Sequence, residues 1–262
     1  MPLTFQTLCS GSAANCLLLR NGSTTLLFDA GFRSQRKCRE MLDPLLPDID
    51  GVVVSHLHGD HIRYPSLRVL HEHGVPIYVH EDEAHRLASK HYNGRDFPNL
   101  DVRTYGWEPF ALGGMRIAPF QAPHDGNHLT FGFEVTVQLD DGSRRLVLAT
   151  DFWDWEHVAD WFVDADFIYV EANHDRELLW LRPNPNSQFH LNNDDCGLLL
   201  RQAFDASSTP PRAVMLGHLS DQRNTPDIAV RTVSAALHDA GHGDVELLVA
   251  PRDVPSDVIV LD

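Results

Sequence analysis

Residues 51–61 read Gly51-Val52-Val53-Val54-Ser55-His56-Leu57-His58-Gly59-Asp60-His61, an apolar run followed by four metal-ligand side chains within six positions. The short β-branched run predicts a buried strand, so the ligands emerge at its end. His56 and His58 stand two apart in extended chain and point to one side, whereas Asp60 and His61 follow the Gly59 turn and face a neighbouring point. That pattern suits two adjacent metal ions better than one. A solvated histidine-rich loop is the bland alternative in a chain with 16 His. Four ligand side chains directly after a Val run favour the metal reading.

Outward from this stretch, composition sets the bounds. The chain has 262 residues, 43% of them hydrophobic, enough for a sizeable core. A formal net charge of -16 repels polyanions at long range and argues against a broad basic footprint for duplex nucleic acid. An anionic substrate must be held locally. Met1 to Thr7 has neither the basic nor the long apolar region of an export signal, and no run reaches membrane-spanning length, so a cytoplasmic protein is expected. Cys9, Cys16, Cys38 and Cys196 lack CxxC spacing and read as buried free thiols.

Asn21-Gly22 between Cys16 to Arg20 and Ser23 to Asp29 predicts a β-hairpin turn. Ser34 to Leu42 reads as a helix, and another is expected to begin at Asp60 or His61. Val75 to His80 reads as a strand, Glu81 to His91 as a helix and Asn93 to Asn99 as a loop. Hairpins follow around Gly113-Gly114 and Asp140-Asp141-Gly142. A Trp-rich helix near Trp153 to Phe162, a strand Phe167 to Val170, a helix Asp194 to Phe204, a strand Ala213 to Leu216, a helix Pro226 to Ala240 and a strand Val245 to Val249 complete the chain. Strand-rich and helix-alternating stretches thus occur twice. They predict an α/β fold, a four-layer αββα sandwich of two mixed sheets with helices on both outer faces, as one domain over residues 1–262.

Three further candidate ligands, His124, Asp151 and His218, sit just after expected strands. A metal pair shared among His56, His58 and His124 on one side, Asp60, His61 and His218 on the other, and a bridging Asp151 leaves positions open for water. Structural zinc sites are closed, so such a pair is catalytic. Zn2+ suits these ligands best, with Mn2+ or Fe also compatible.

The order HxHxDH, His124, Asp151, His218 resembles the metallo-β-lactamase superfamily of binuclear metallohydrolases, and the resemblance runs from Ser10-Gly11-Ser12-Ala13-Ala14-Asn15-Cys16 to the His218 region. Glu171-Ala172-Asn173-His174-Asp175, His190-Leu191-Asn192-Asn193-Asp194 and Gly217-His218-Leu219-Ser220 resemble its YycJ/WalJ-like branch. This resemblance implies a phosphodiesterase or 5′-to-3′ exonuclease acting on single-stranded nucleic acid or a small nucleotide. It implies that the seven residues above are metal positions, that Asp60 belongs to the catalytic set, and that Asp29 supports a ligand from behind. It also implies that Glu171 orients His190, which stabilises the phosphate or protonates the leaving oxygen.

The chain departs from the branch at Ser-Ala-Ala-Asn (12–15), where a glycine-rich version is usual, and at Phe189, where Gly usually precedes the His. Both changes remove backbone freedom near the expected site. Leu178 to Phe189 is expected to form a loop walling the cleft, and the Asp151 to His218 interval has no room for the large inserted domain of β-CASP nucleases. Trp153, Trp155 and Trp161 are read as core residues, His71, His73, His80, His85 and His91 as surface, and Arg63 and Tyr64 as entrance residues. The same metals would serve a carboxylic ester, lactone or thioester hydrolase, and a di-iron redox module is the alternative outside hydrolysis.

Overall fold

A computed structural model describes residues 2–22, 24–92, 97 and 99–261. Ser23 and most of the loop expected at Asn93 to Asn99 lie outside the described residues. The first strands in chain order are β1 (Thr4–Cys9), β2 (Cys16–Asn21), β3 (Thr24–Phe28), β4 (Gly51–Val53), β5 (Ile77–His80), β6 (Val102–Tyr105) and β7 (Phe110–Leu112). Then come β8 (Met115–Gln121), β9 (Phe131–Leu139), β10 (Gly142–Ala149), β11 (Phe167–Glu171), β12 (Ala213–Gly217), β13 (Glu246–Val249) and β14 (Ile259–Val260). The α-helices are α1 (Gln35–Leu42), α2 (Tyr64–Glu72), α3 (Glu81–His91), α4 (Trp155–Val158), α5 (Arg176–Leu181), α6 (Asn193–Ala206) and α7 (Pro226–Asp239).

The chain forms two compact units, Met1–Arg116 with Pro251–Asp262, and Ile117–Ala250. In the first, a mixed sheet runs β14-β1-β2-β3-β4-β5-β6. Its antiparallel part, β14 to β3, is followed by parallel β3, β4, β5 and β6. Parallel neighbours need crossovers, which α1, α2 and α3 supply in turn. Their apolar stripes, including Cys38, Leu42, Leu67, Leu70 and Leu87, share one core with Leu18, Leu27, Val52 and Ile77.

The second sheet has the order β13-β12-β11-β10-β9-β8-β7. β10 to β13 are parallel and β9 pairs antiparallel with β10. Val147, Ile168, Val170, Val214 and Leu216 bury one face with Leu199, Leu200, Ala203, Val233 and Leu237 of α6 and α7. β11 is buried along its whole length, as expected of a parallel strand covered on both faces. Two mixed sheets with crossover helices are the α/β architecture read from the sequence. In both, the carboxyl ends of parallel strands release Asp29, Ser55, Asp151, Glu171 and His218. Strand ends of this kind are where open α/β sheets bind ligands.

Several local expectations shift. The helix expected at Asp60 or His61 starts at Tyr64, because the Asp60 and His61 carbonyls accept sideways from Asn15 N and Ala30 N, each at 2.7 Å. Gly31 permits this approach, since a Cβ there would overlap the Asp60 carbonyl. The first hairpin pairs Asn21 with Thr24, so Asn21 belongs to β2 rather than to the turn. The Trp-rich helix is only α4 and a 3-10 turn, Ala159–Phe162, and the stretch read as loop contains α5, capped by Asp175. His80 is buried, and its Nδ1 accepts from Asp82 N at the start of α3. No helix among the described residues is long and apolar enough to cross a membrane.

Candidate metal centre

In the first unit, parallel pairing of β3 and β4 sets Asp29 beside Ser55. Asp29 Oδ1 accepts from Ser55 N and Oδ2 from Ser55 Oγ, both at 2.8 Å, and Oδ2 also lies 2.6 Å from His61 Nδ1. Ser55 Oγ stands 3.1 Å from His56 Nδ1. One buried carboxylate therefore orients His61 directly and His56 through a hydroxyl. With Nδ1 engaged, Nε2 is the nitrogen left for a metal. The His56 ring lies 4.6 Å from that of His58 and 4.1 Å from that of His61. Asn15 Nδ2 comes within 3.2 Å of His61 Nε2 and is also bonded to the Gly11 carbonyl, which it keeps if a metal takes Nε2.

The second unit repeats the device. Glu171 Oε1 accepts from His218 Nδ1 at 2.7 Å and from His190 Nδ1 at 2.9 Å. Its Oε2 accepts from Leu191 N at 3.1 Å and Phe152 N at 3.3 Å. Both oxygens are thus committed to the protein, which suits an orienting group rather than a ligand. His124 Nδ1 donates to the Phe189 carbonyl at 2.9 Å. Asp151, Glu171, His190 and His218 offer donor atoms all within 4.8 Å of one another.

Donor spacing tests whether metal fits. His61 Nε2 lies 3.6 Å from Asp60 Oδ2, His218 Nε2 3.6 Å from Asp151 Oδ2, and His124 Nε2 3.9 Å from Asp151 Oδ1. These are too long for hydrogen bonds. Two donors about 2.0–2.2 Å from a tetrahedral zinc sit roughly 3.3–3.6 Å apart, so the first two pairs match and the third needs a small closure. The residues fit divalent metal.

Backbone strain marks the same positions. Among the described residues, the non-glycine residues with positive φ are Asp29 (63°), Asp151 (61°), Asp164 (55°) and His218 (53°). Three of the four are candidate site residues at strand ends, where such conformations cost about 1–3 kcal/mol each. Asn173 Nδ2 supports one of them by donating to the His218 carbonyl at 3.0 Å. Gly217 before it has no room for a side chain, since a Cβ would strike the Tyr169 ring.

Burial disfavours charge on Glu171, yet His190 and His218 outweigh it and hold the carboxyl well below the usual range. Burial likewise disfavours imidazolium at His190, but Glu171 and then Asp151 raise its pKa. Both shifts favour the carboxylate at Glu171 and the imidazolium at His190, the form in which His190 can give up a proton.

The second unit holds His124, Asp151, Glu171, His190 and His218, and the first holds His56, His58, Asp60 and His61. Sequence reading missed Ser55, Asn173, the Phe189 carbonyl and the share of Glu171 taken by His218. Ser55, directly before His56 at a strand end, was the one visible signal. Neither departure from the branch strains the backbone, for Ala13, Ala14 and Phe189 are absent from the positive-φ residues. What matters at 189 is a main-chain oxygen that any residue supplies.

The family model for the beta-lactamase superfamily domain matches residues 24–218. The chain belongs to that family. It is 26% identical over 262 residues to the exodeoxyribonuclease YycJ of Bacillus anthracis, covering 93% of this chain and 92% of the relative. Among solved structures it is similar to the metallo-β-lactamase fold protein YhfI of Bacillus subtilis, with TM-score 0.73, 18% identity and coverage of 98% and 99%. It is also similar to the short form of human tRNase Z, with TM-score 0.65, 16% identity and coverage of 99% of both chains. The fold is the metallo-β-lactamase fold expected from the motif order. The chain is a metal-dependent hydrolase.

Proposed function

We propose that the chain is a phosphodiesterase of the nuclease kind, cutting single-stranded nucleic acid from its 5′ end, as one domain over residues 1–262 with two divalent ions, zinc first. In this reading His56, His58 and His124 would hold one ion, Asp60, His61 and His218 the other, and Asp151 would serve both. When bound, such ions supply acidified water and neutralise charge on the phosphate. His190 donates its proton to the leaving oxygen, and Glu171 stabilises the imidazolium. The catalytic part of Asp60 would be to hold its metal beside the reacting phosphate. The unbridged thiols suit a reducing cytoplasm.

The observation that carries the reading is the single Glu171 oxygen shared by His218 and His190. It couples a candidate ligand to a candidate acid, and a leaving alkoxide needs an acid. The similarity to an exodeoxyribonuclease supports the substrate class. The test is metal-reconstituted turnover on 5′-phosphorylated oligonucleotides, a cyclic nucleotide, an aryl phosphodiester and a thioester, with metal content measured. His190→Ala should slow oligonucleotide cleavage about 10²–10⁴-fold while metal stays bound. Preference for the thioester, or a di-iron absorption spectrum without hydrolysis, refutes the reading.

A further inference from the structure

An open cleft of about 740 Å³ in the second unit is lined by His190, His174, Trp153, Trp180, Asn184 and Gln188 among others. The two indoles are unusually bare, with Trp153 48% and Trp180 80% exposed. A large exposed aromatic is informative where it adjoins a chemical site. We propose that Trp153 and Trp180 form a stacking subsite for an unpaired nucleobase beside His190, an inference that rests on the phosphodiesterase reading above.

Both indoles are carried by segments that build the centre. Trp153 N donates to the Pro123 carbonyl at 3.1 Å and its indole Nε1 to the His124 carbonyl at 3.2 Å. Both its N–H donors are thereby committed, and its ring is anchored to the segment that carries His124. Trp180 lies on α5, whose first turn is capped by Asp175 Oδ1 accepting from Leu178 N at 2.8 Å. Beyond α5, Pro183-Asn184-Pro185 stiffens the path into the 3-10 turn Pro185–Phe189, which ends at the carbonyl that orients His124. A platform on such segments holds its place relative to His190.

The lining decides the kind of ligand. Among the described residues it contains no Lys or Arg, and its carboxylate, Asp195, is paired with Arg176 at 2.8 Å. A phosphate would find a cation only at the His190 end of the cleft. A flat neutral ring would find two indole faces and the amides of Asn184 and Gln188 for its polar edge. On a chain of net charge -16, affinity for a nucleic acid strand must come from local contacts of this kind. Binding at the subsite should therefore depend only weakly on salt.

The experiment compares metal-loaded wild type with Trp180→Ala and Trp180→Tyr on a 5′-phosphorylated oligothymidylate and on the same strand with abasic residues at its end. Tryptophan fluorescence of each protein is titrated with both strands. Trp180→Ala should raise KM for the natural strand about tenfold with kcat nearly unchanged, and Trp180→Tyr should restore most of it. On the abasic strand, wild type and variant should converge. Equal KM changes on both strands, or no change on either, overturn the subsite. So does a wild-type dimer that Trp180→Ala converts to monomer without altering KM, which would give this face to a second copy of the chain. If neither strand is cleaved but the natural one alone quenches wild-type fluorescence, the subsite stands and the phosphodiesterase reading fails.

Discussion

Glu171 Oε1 lies 2.7 Å from His218 Nδ1 in a fully buried setting, and it is the oxygen that also accepts from His190. Asp29 bears the same relation to His61 at 2.6 Å in the other unit. Each unit thus contains a buried carboxylate that sets an imidazole so that Nε2 remains for chemistry.

Glu171→Gln keeps the shape but removes the charge. The amide cannot accept through both ends, so either an imidazole or the Leu191 and Phe152 amides lose a partner. Metal affinity and turnover should each fall about 10–100-fold, with the far-ultraviolet spectrum unchanged. Metal content after dialysis and steady-state rates check this, and unchanged values for both would dismiss Glu171 as an orienting group.

Asp29 separates orientation from strain, because its φ is 63°. Asn tolerates that conformation whereas Ala does not. Asp29→Asn should weaken metal binding about 10–100-fold yet melt near wild type. Asp29→Ala should also lose about 1–2 kcal/mol, a fall in Tm of roughly 2–8 °C. Equal Tm values for the two variants would show that the strain is not real.

The thiols give a pH dependence away from the metal ligands. Burial pushes Cys9 and Cys38 from 9.0 up to about 12 and moves Cys16 and Cys196 upward as well. The folded chain therefore keeps its thiols neutral while the unfolded chain ionises. The stability contributed is full below pH 9.0 and is lost as pH climbs from 9.0 through about 12. Thermal melts across that window should fall steadily, and Ellman's reagent at about pH 8 should find the thiols only after denaturation. Rapid reaction of the native protein would contradict the burial.

Arg145 tests the second sheet. Its guanidinium pairs with Glu134 Oε2 at 2.7 Å and donates to the Trp161 and Val163 carbonyls, joining β9, β10 and the turn after α4. Arg145→Ala should cost about 2 kcal/mol, read from denaturant midpoints. A shift below about 0.5 kcal/mol would place it among ordinary surface pairs.

Chelation is the remaining test. Removing ions that bind only the folded chain should abolish hydrolysis and lower Tm by about 5–10 °C for each site filled at a hundred times Kd. Zinc or manganese should restore both. Full activity after exhaustive chelation would remove metal from the chemistry.

Much of this was readable because it is local. The Val run ahead of His56, the period of Glu81 to His91 and the Gly113-Gly114 turn depend on residues near in sequence, and each element formed where its pattern lay. The helix start at Asp60 failed because distant amides, those of Asn15 and Ala30, took the carbonyls a helix needs. α5 escaped notice because six residues carry too little periodicity to register.

The sequence alone determined the inventory, namely which imidazoles and carboxylates follow which strands, and hence the family. Tertiary structure decided their partners: that Asp29 reaches His61 through the pairing of β3 with β4, that Glu171 serves both His218 and His190, and that a main-chain oxygen of Phe189 sets His124. The physical reason is that a ligand's identity is written in its own residue. Its orientation is imposed by hydrogen bonds from residues far along the chain, which meet it only once the strands have paired.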